Sequence, residues 1–122
     1  MPEANTSRDW TLFLRDMQRF CGKVMRYSAG LNQQQFLADE LTVDAVLRNL
    51  ELLGEAAKQI PDDVRLRHPT VPWRRIAGLR DVLAHAYFGL EDDTIWQIIT
   101  SSIPALAEQL SAVALIELAD RD

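Results

Sequence analysis

The sequence predicts an all-α protein: an antiparallel bundle of four to five helices without strands. Apolar residues recur at helical spacing through three long segments, roughly 7–29, 39–60 and 92–119. Glycine and proline mark the breaks between these segments. A chain of 122 residues can bury one core but not two, so residues 1–122 should form a single domain.

The first helix is predicted to begin at Ser7, a good N-cap residue, and to end near Ala29, with Gly30 as the stop. Its apolar side includes Cys21, so we expect a buried and unreactive thiol. The opposite side carries a stripe of cations: Arg8, Arg15, Arg19, Lys23 and Arg26. A solvated face is the favoured interpretation of this stripe, and a cationic ridge for RNA or an acidic partner is the alternative.

The second long helix is predicted from Asp39 to Ile60, after a short helical or irregular link over 32–38, and Pro61 ends it. This helix is apolar around most of its circumference. It must therefore be covered on more than one side, either as the central helix or at a subunit interface. Gly54 within it predicts a close approach of a neighbouring helix.

The remaining chain predicts three further helical segments. A short helix should span Asp62–Arg67, and a third helix should begin at Trp73 and continue towards Tyr87. The last helix should begin at Asp92 or Asp93 and run to about Ala119. Pro104 lies inside this last helix and predicts a kink near Ser101.

The third helix carries the residues with the most useful chemistry: Arg80, Asp81, His85 and Tyr87. Arginine binds phosphate, histidine transfers protons near neutral pH, and tyrosine offers a hydroxyl. Asp81 and His85 are four residues apart, so the carboxylate is predicted to contact and orient the imidazole. From the residues themselves, surface salt bridging is the commoner explanation of such a group.

Arg80 and His85 are five residues apart, which separates them by about 140° around an ideal helix. They would converge if the helix unwound near His85, if the arginine side chain curled round, or if two subunits pooled their copies. This geometry favours a site made by two chains.

Composition and spacing limit the other possibilities. A formal net charge of −5 argues against broad, non-specific nucleic-acid binding, so RNA would need a local basic patch, for which Arg74 and Arg75 are candidates. Two histidines without zinc-site spacing predict no metal site, and no glycine-rich phosphate loop or cofactor motif is present. One cysteine fits the reducing cytoplasm, and no apolar run predicts a membrane span.

The arrangement Arg80-x4-His85-x-Tyr87 resembles the motif of HEPN domains (higher eukaryotes and prokaryotes nucleotide-binding), and more closely that of the HepT-like toxin family. Three stretches extend the resemblance over nearly the whole chain: Leu53-Gly54-Glu55-Ala56-Ala57, Val71-Pro72-Trp73-Arg74-Arg75-Ile76 and Ala77-Gly78-Leu79-Arg80-Asp81. All three fixed positions of the motif are present.

The resemblance implies a homodimeric, metal-independent endoribonuclease toxin whose motif residues from two subunits share one cleft. Arg80 would hold the scissile phosphate, His85 would be the general acid or base, and Asp81 would support the site. The 2′-hydroxyl of RNA would attack the adjacent phosphate. Tyr87 matches the tyrosine that the cognate antitoxin, a minimal nucleotidyltransferase of the MntA type, adenylylates. The alternative is a catalytically inactive HEPN module that binds nucleotide or supports a partner nucleotidyltransferase.

Overall fold

The computed structural model describes residues 9–86, 88–89 and 91–119, and this part of the chain contains helices and no strand. The all-α prediction is therefore confirmed. The elements are α1 (Trp10–Ser28), α2 (Gln33–Ala38), α3 (Glu40–Ala57), α4 (Asp62–Arg67), α5 (Trp73–Ala77), α6 (Leu79–Ala86), α7 (Asp92–Gln97), a π-helical turn (Ile98–Ser102) and α8 (Ile103–Glu117).

Helix α1 begins two residues later than the sequence predicts, because Asp9 caps it. Its carboxylate accepts hydrogen bonds from the Thr11 backbone N–H and hydroxyl at 3.0 and 2.9 Å. The predicted cap, Ser7, lies outside the described residues. Cys21 is fully buried, as predicted, and burial raises the pKa of its thiol to about 12, which disfavours the reactive thiolate.

Helix α3 is the central helix of the domain. It packs against α1, α2, α5 and α6, and its buried residues are Val46, Leu47, Asn49, Leu50, Leu53, Gly54, Ala56 and Ala57. A Cβ at Gly54 would lie 3.0 Å from the Ile76 backbone oxygen, so the predicted close approach is confirmed. The helix ends at Ala57 rather than Ile60, because Gln59 and Ile60 donate to carbonyls only three residues back.

The third helix is interrupted, contrary to the prediction of one helix from Trp73 onwards. At Gly78 the backbone adopts φ −86° and ψ 3°, which ends α5, and α6 starts at the next residue. A Cβ at Gly78 would be only 3.3 Å from the Arg74 carbonyl oxygen, so the absence of a side chain suits this turn.

The last helical segment runs from α7 through the π-helical turn into α8, with Glu91 at the N-cap position rather than Asp92 or Asp93. The Ile103 N–H bonds the Ile98 carbonyl, five residues back. This irregularity lies where the sequence predicts a kink, because Pro104 has no N–H and its ring crowds the preceding turn.

Residues 92–117 are apolar enough to cross a membrane by length and composition, a property that core helices of soluble domains share. Several of them are buried in the bundle core, where α8 packs against α1: Ile95, Ile99, Ile103, Leu106, Leu110 and Val113. This packing supports a core role for the segment.

A charged cluster of Arg67, His68 and Glu117 connects the end of α8 to the end of α4. Glu117 accepts two hydrogen bonds from the Arg67 guanidinium, at 2.8 and 3.0 Å, and lies 2.7 Å from His68 Nε2. The Trp73 indole N–H donates to the His68 carbonyl at 2.9 Å, which extends the cluster to the start of α5. The hydrogen bond from Arg67, more than any other contact, lowers the pKa of Glu117 to about 2.

Replacing Glu117 by glutamine should therefore lower the free energy of unfolding by about 1–3 kcal/mol at neutral pH. Because the pKa of Glu117 is about 2 when folded and ordinarily 4.5, its contribution is complete above pH 4.5 and disappears as pH falls towards 2. Urea unfolding at several pH values measures this difference. Glu108→Gln, an exposed position on the same helix, is the control and should be nearly neutral. Equal stability of the two variants at pH 7 would contradict the role of the cluster.

Candidate functional site

Helix α6 presents its polar residues to solvent and its apolar residues to the core. Leu79 and Leu83 are buried, whereas Arg80, Asp81 and His85 are exposed. Helical periodicity places the three polar side chains on one outward arc. The described motif residues thus lie on α6, the second of the two helices that replace the predicted third helix.

Arg80 and His85 do not meet within one chain. Helix α6 is continuous from Leu79 to Ala86, so unwinding near His85 does not bring them together. Among the described residues, no hydrogen bond or ion pair joins the Arg80 side chain to His85 or to any other group. Of the three predicted routes to convergence, the continuous helix argues against unwinding, which leaves a curled arginine side chain and a second copy of the chain.

The acid that faces His85 is Glu91, which the sequence did not single out. Its Oε1 lies 3.7 Å from His85 Nδ1, with the His85 side chain 62% exposed and that of Glu91 37% exposed. Asp81, which was predicted to contact His85, makes no hydrogen bond or ion pair within the described part of the chain. The only sequence signal for Glu91 is Gly89, whose φ of +72° suits a turn that brings the chain back towards α6.

The other predicted site residues lie on α5 and α1 or outside the described part of the chain. Arg74 and Arg75 are exposed on α5, and neither has a hydrogen-bond or ion-pair partner among the residues described. Tyr87, the predicted modification site, lies outside the described residues.

The predicted cation stripe on α1 is exposed at Arg15, Arg19 and Arg26. Arg19 bonds Asp16 at 3.3 Å, and Arg8 is not among the described residues.

A groove of about 440 Å³ runs between α5–α6 and α7–α8. Leu53, Ile76, Leu79 and Leu106 contribute apolar side chains, and Arg75, Thr94, Gln97 and Gln109 contribute polar ones. Arg80, Asp81 and His85 do not line it. Arg80, Asp81 and His85 therefore lie on an open surface beside the groove, and one chain does not enclose them.

Comparison with known proteins identifies the family. The model of the family described as "Ribonuclease HepT-like" matches residues 17–113, which include every described element from within α1 to within α8. No solved structure matches the chain.

Curated relatives agree with this match. A protein of Thermococcus cleftensis named "Probable ribonuclease HepT" is 38% identical over 94 residues, which cover 77% of this chain and 86% of that protein. A Methanocaldococcus jannaschii protein named "Putative RNase" is 32% identical over 108 residues, covering 88% and 99%. A "Putative RNase" of Caldanaerobacter subterraneus is 36% identical over 101 residues, covering 83% and 90%. The family prediction is thus confirmed, and the chain belongs to the HepT-like ribonuclease family.

Proposed function

We propose that this ribonuclease is a metal-independent endoribonuclease toxin of a toxin–antitoxin pair, which cleaves RNA in a cleft formed by two copies of the chain. The observation that carries the proposal is the exposed Arg80, which pairs with no other residue in the described part of the chain, on the same helix as an exposed His85, in a chain of the HepT-like ribonuclease family. An arginine without a protein partner is available for a phosphate, which it can bind through two parallel hydrogen bonds.

The chemistry follows from these groups. The 2′-hydroxyl of RNA attacks the adjacent phosphorus, the bond to the 5′-oxygen breaks, and a 2′,3′-cyclic phosphate and a 5′-hydroxyl result. The His85 imidazole accepts the proton of the 2′-hydroxyl, and water protonates the departing oxygen. Arg80 neutralises the charge that develops on the phosphoryl oxygens, and Asp81, on the same exposed arc, orients a guanidinium across the cleft.

Two copies are needed because one chain separates the groups. Arg80 and His85 point about 140° apart on α6, whereas a second α6 facing the first brings the arginine of one copy towards the histidine of the other. Arg74 and Arg75, exposed on the preceding helix, would add positive potential for the RNA backbone in a chain whose net charge is −5.

The direct test is incubation of the purified protein with single-stranded RNA in excess EDTA, followed by analysis of the product ends. We expect cleavage to continue in EDTA and to leave 2′,3′-cyclic phosphate and 5′-hydroxyl ends. Loss of cleavage on chelation, or products with 5′-phosphate ends, would contradict the metal-free 2′-hydroxyl route.

Tyr87 is the residue whose adenylylation we propose inhibits RNA cleavage. A nucleotidyltransferase partner of the MntA type would transfer AMP from ATP to its hydroxyl, releasing pyrophosphate. The added negative charge two residues from His85 would repel RNA phosphates. After incubation with such a partner and ATP, intact-mass spectrometry should show AMP-sized additions to the wild type that are absent from Tyr87→Phe. Tyr27→Phe, on α1, is the matched control. AMP-sized additions that persist in Tyr87→Phe would show that another residue accepts the AMP.

The groove beside α6 favours a second candidate function, an inactive module that binds nucleotide. Its volume is in the usual range for small-molecule sites, and Arg75 at its edge would meet a phosphate while the apolar wall covers a base. ATP binding by a folded wild-type protein that leaves RNA intact would establish this function in place of the nuclease. Arg75→Ala should then weaken binding more than Arg74→Ala, because Arg74 does not line the groove.

A further inference from the structure

His85 faces a carboxylate from the next helix. Glu91 occupies the N-cap position of α7, and its Oε1 lies 3.7 Å from His85 Nδ1. Its other carboxylate oxygen, Oε2, accepts a hydrogen bond from the Thr94 hydroxyl at 3.0 Å. Oε2 of Glu91 is thus bonded to a residue of α7, whereas Oε1 faces the imidazole of His85.

The helix that presents Glu91 is itself anchored to the bundle. Gln33 on α2 donates to Asp93 at 2.7 Å, and the rings of Phe36 and Trp96 lie 5.5 Å apart. Ile95 is buried in the core. A carboxylate on a fixed first turn is better placed to orient a ring than Asp81, which lies on the exposed arc of α6 without a protein partner in the described chain.

We propose that Glu91 is a positioning residue for His85. Glu91 Oε1 and His85 Nδ1 are 3.7 Å apart in the structure; when they approach to hydrogen-bond length, the carboxylate accepts the Nδ1–H, which fixes the tautomer and leaves the Nε2 lone pair directed outwards, where the 2′-hydroxyl of RNA would be. Thr94 holds the carboxylate in this orientation. The expected effect on RNA cleavage rests on the proposed nuclease function. The contact between Glu91 and His85 does not, because it is present in the folded chain without RNA.

The kinetic test compares Glu91→Gln with Asp92→Asn, which removes the same charge one residue away. We expect Glu91→Gln to lower kcat for RNA cleavage by about 10–100-fold with little change in KM, because the ring loses its orientation while RNA binding remains. Thr94→Val should lower kcat in the same direction by a smaller factor, and Asp92→Asn should leave it unchanged. Equal rates for Glu91→Gln and Asp92→Asn would overturn the proposal.

A second measurement does not depend on activity. Nitrogen-15 spectra of the His85 ring at alkaline pH, where neutral imidazole dominates, should show the proton on Nδ1 in the wild type and a redistribution towards Nε2 in Glu91→Gln. Unchanged ring spectra in Glu91→Gln would refute the contact. A wild type that shows the Nδ1–H form but does not cleave RNA would refute the nuclease proposal and retain the role of Glu91 in orienting the ring.

Discussion

Replacing His85 by alanine should lower the rate of RNA cleavage by about 10²–10⁴-fold, the usual contribution of a general acid or base. Arg80→Ala should lower the same rate by about 10²–10³-fold, because it removes the positive charge at the phosphate in the transition state. Neither change should unfold the protein, since both side chains are exposed and neither packs in the core. Cleavage of a fluorescent oligonucleotide in EDTA measures the rates of the wild type and of both variants.

The matched control for Arg80→Ala is Arg48→Ala on α3. Arg48 is also exposed and makes a single surface ion pair with Glu51, at 3.2 Å, so its loss removes the same charge at little cost in stability. Thermal unfolding of each variant should match the wild type. Cleavage that survives both Arg80→Ala and His85→Ala would show that the active site is elsewhere, and a loss in Arg48→Ala would show a general effect of charge.

Local chemistry explains why most of the fold could be predicted from the sequence. Helix α4 follows from the breaks on either side of 62–67. Pro104 predicts a kink near Ser101, and an irregularity, the π-helical turn, does lie there. The close approach of α3 to α5 follows from Gly54, where no side chain separates them. The break at Gly78 was missed because a single glycine within a helical pattern is usually tolerated.

Long-range pairing explains what could not be predicted. Arg67 and Glu117 meet across 50 residues of sequence, and nothing near either residue indicates the other. Glu91 reaches His85 only through a turn whose path depends on where α7 docks, so the nearer Asp81 was the natural choice from spacing. For the candidate site, the sequence thus singled out the exposed polar residues on α6 but not Glu91, which lies next to His85.

Mixing Arg80→Ala with His85→Ala protein should restore RNA cleavage that neither variant has by itself. If an arginine from one copy works with a histidine from the other, a mixed dimer retains one complete pair. With random exchange of subunits, half of the dimers are mixed and each has one of its two pairs, so activity should recover to about a quarter of the wild-type value. Single-turnover cleavage after subunit exchange, with differently tagged chains to confirm mixed dimers, measures this recovery.

The control for this experiment is a mixture of Arg80→Ala with the double variant Arg80→Ala/His85→Ala, which contains no Arg80 and should stay inactive. If mixed dimers form and the first mixture is as inactive as its components, Arg80 and His85 must act within one chain, and α6 would have to distort when RNA binds. If the chains do not associate at micromolar concentration, the two-copy cleft is wrong. Recovery in the first mixture alone requires the two groups to come from different copies, because no chain in that mixture carries both Arg80 and His85.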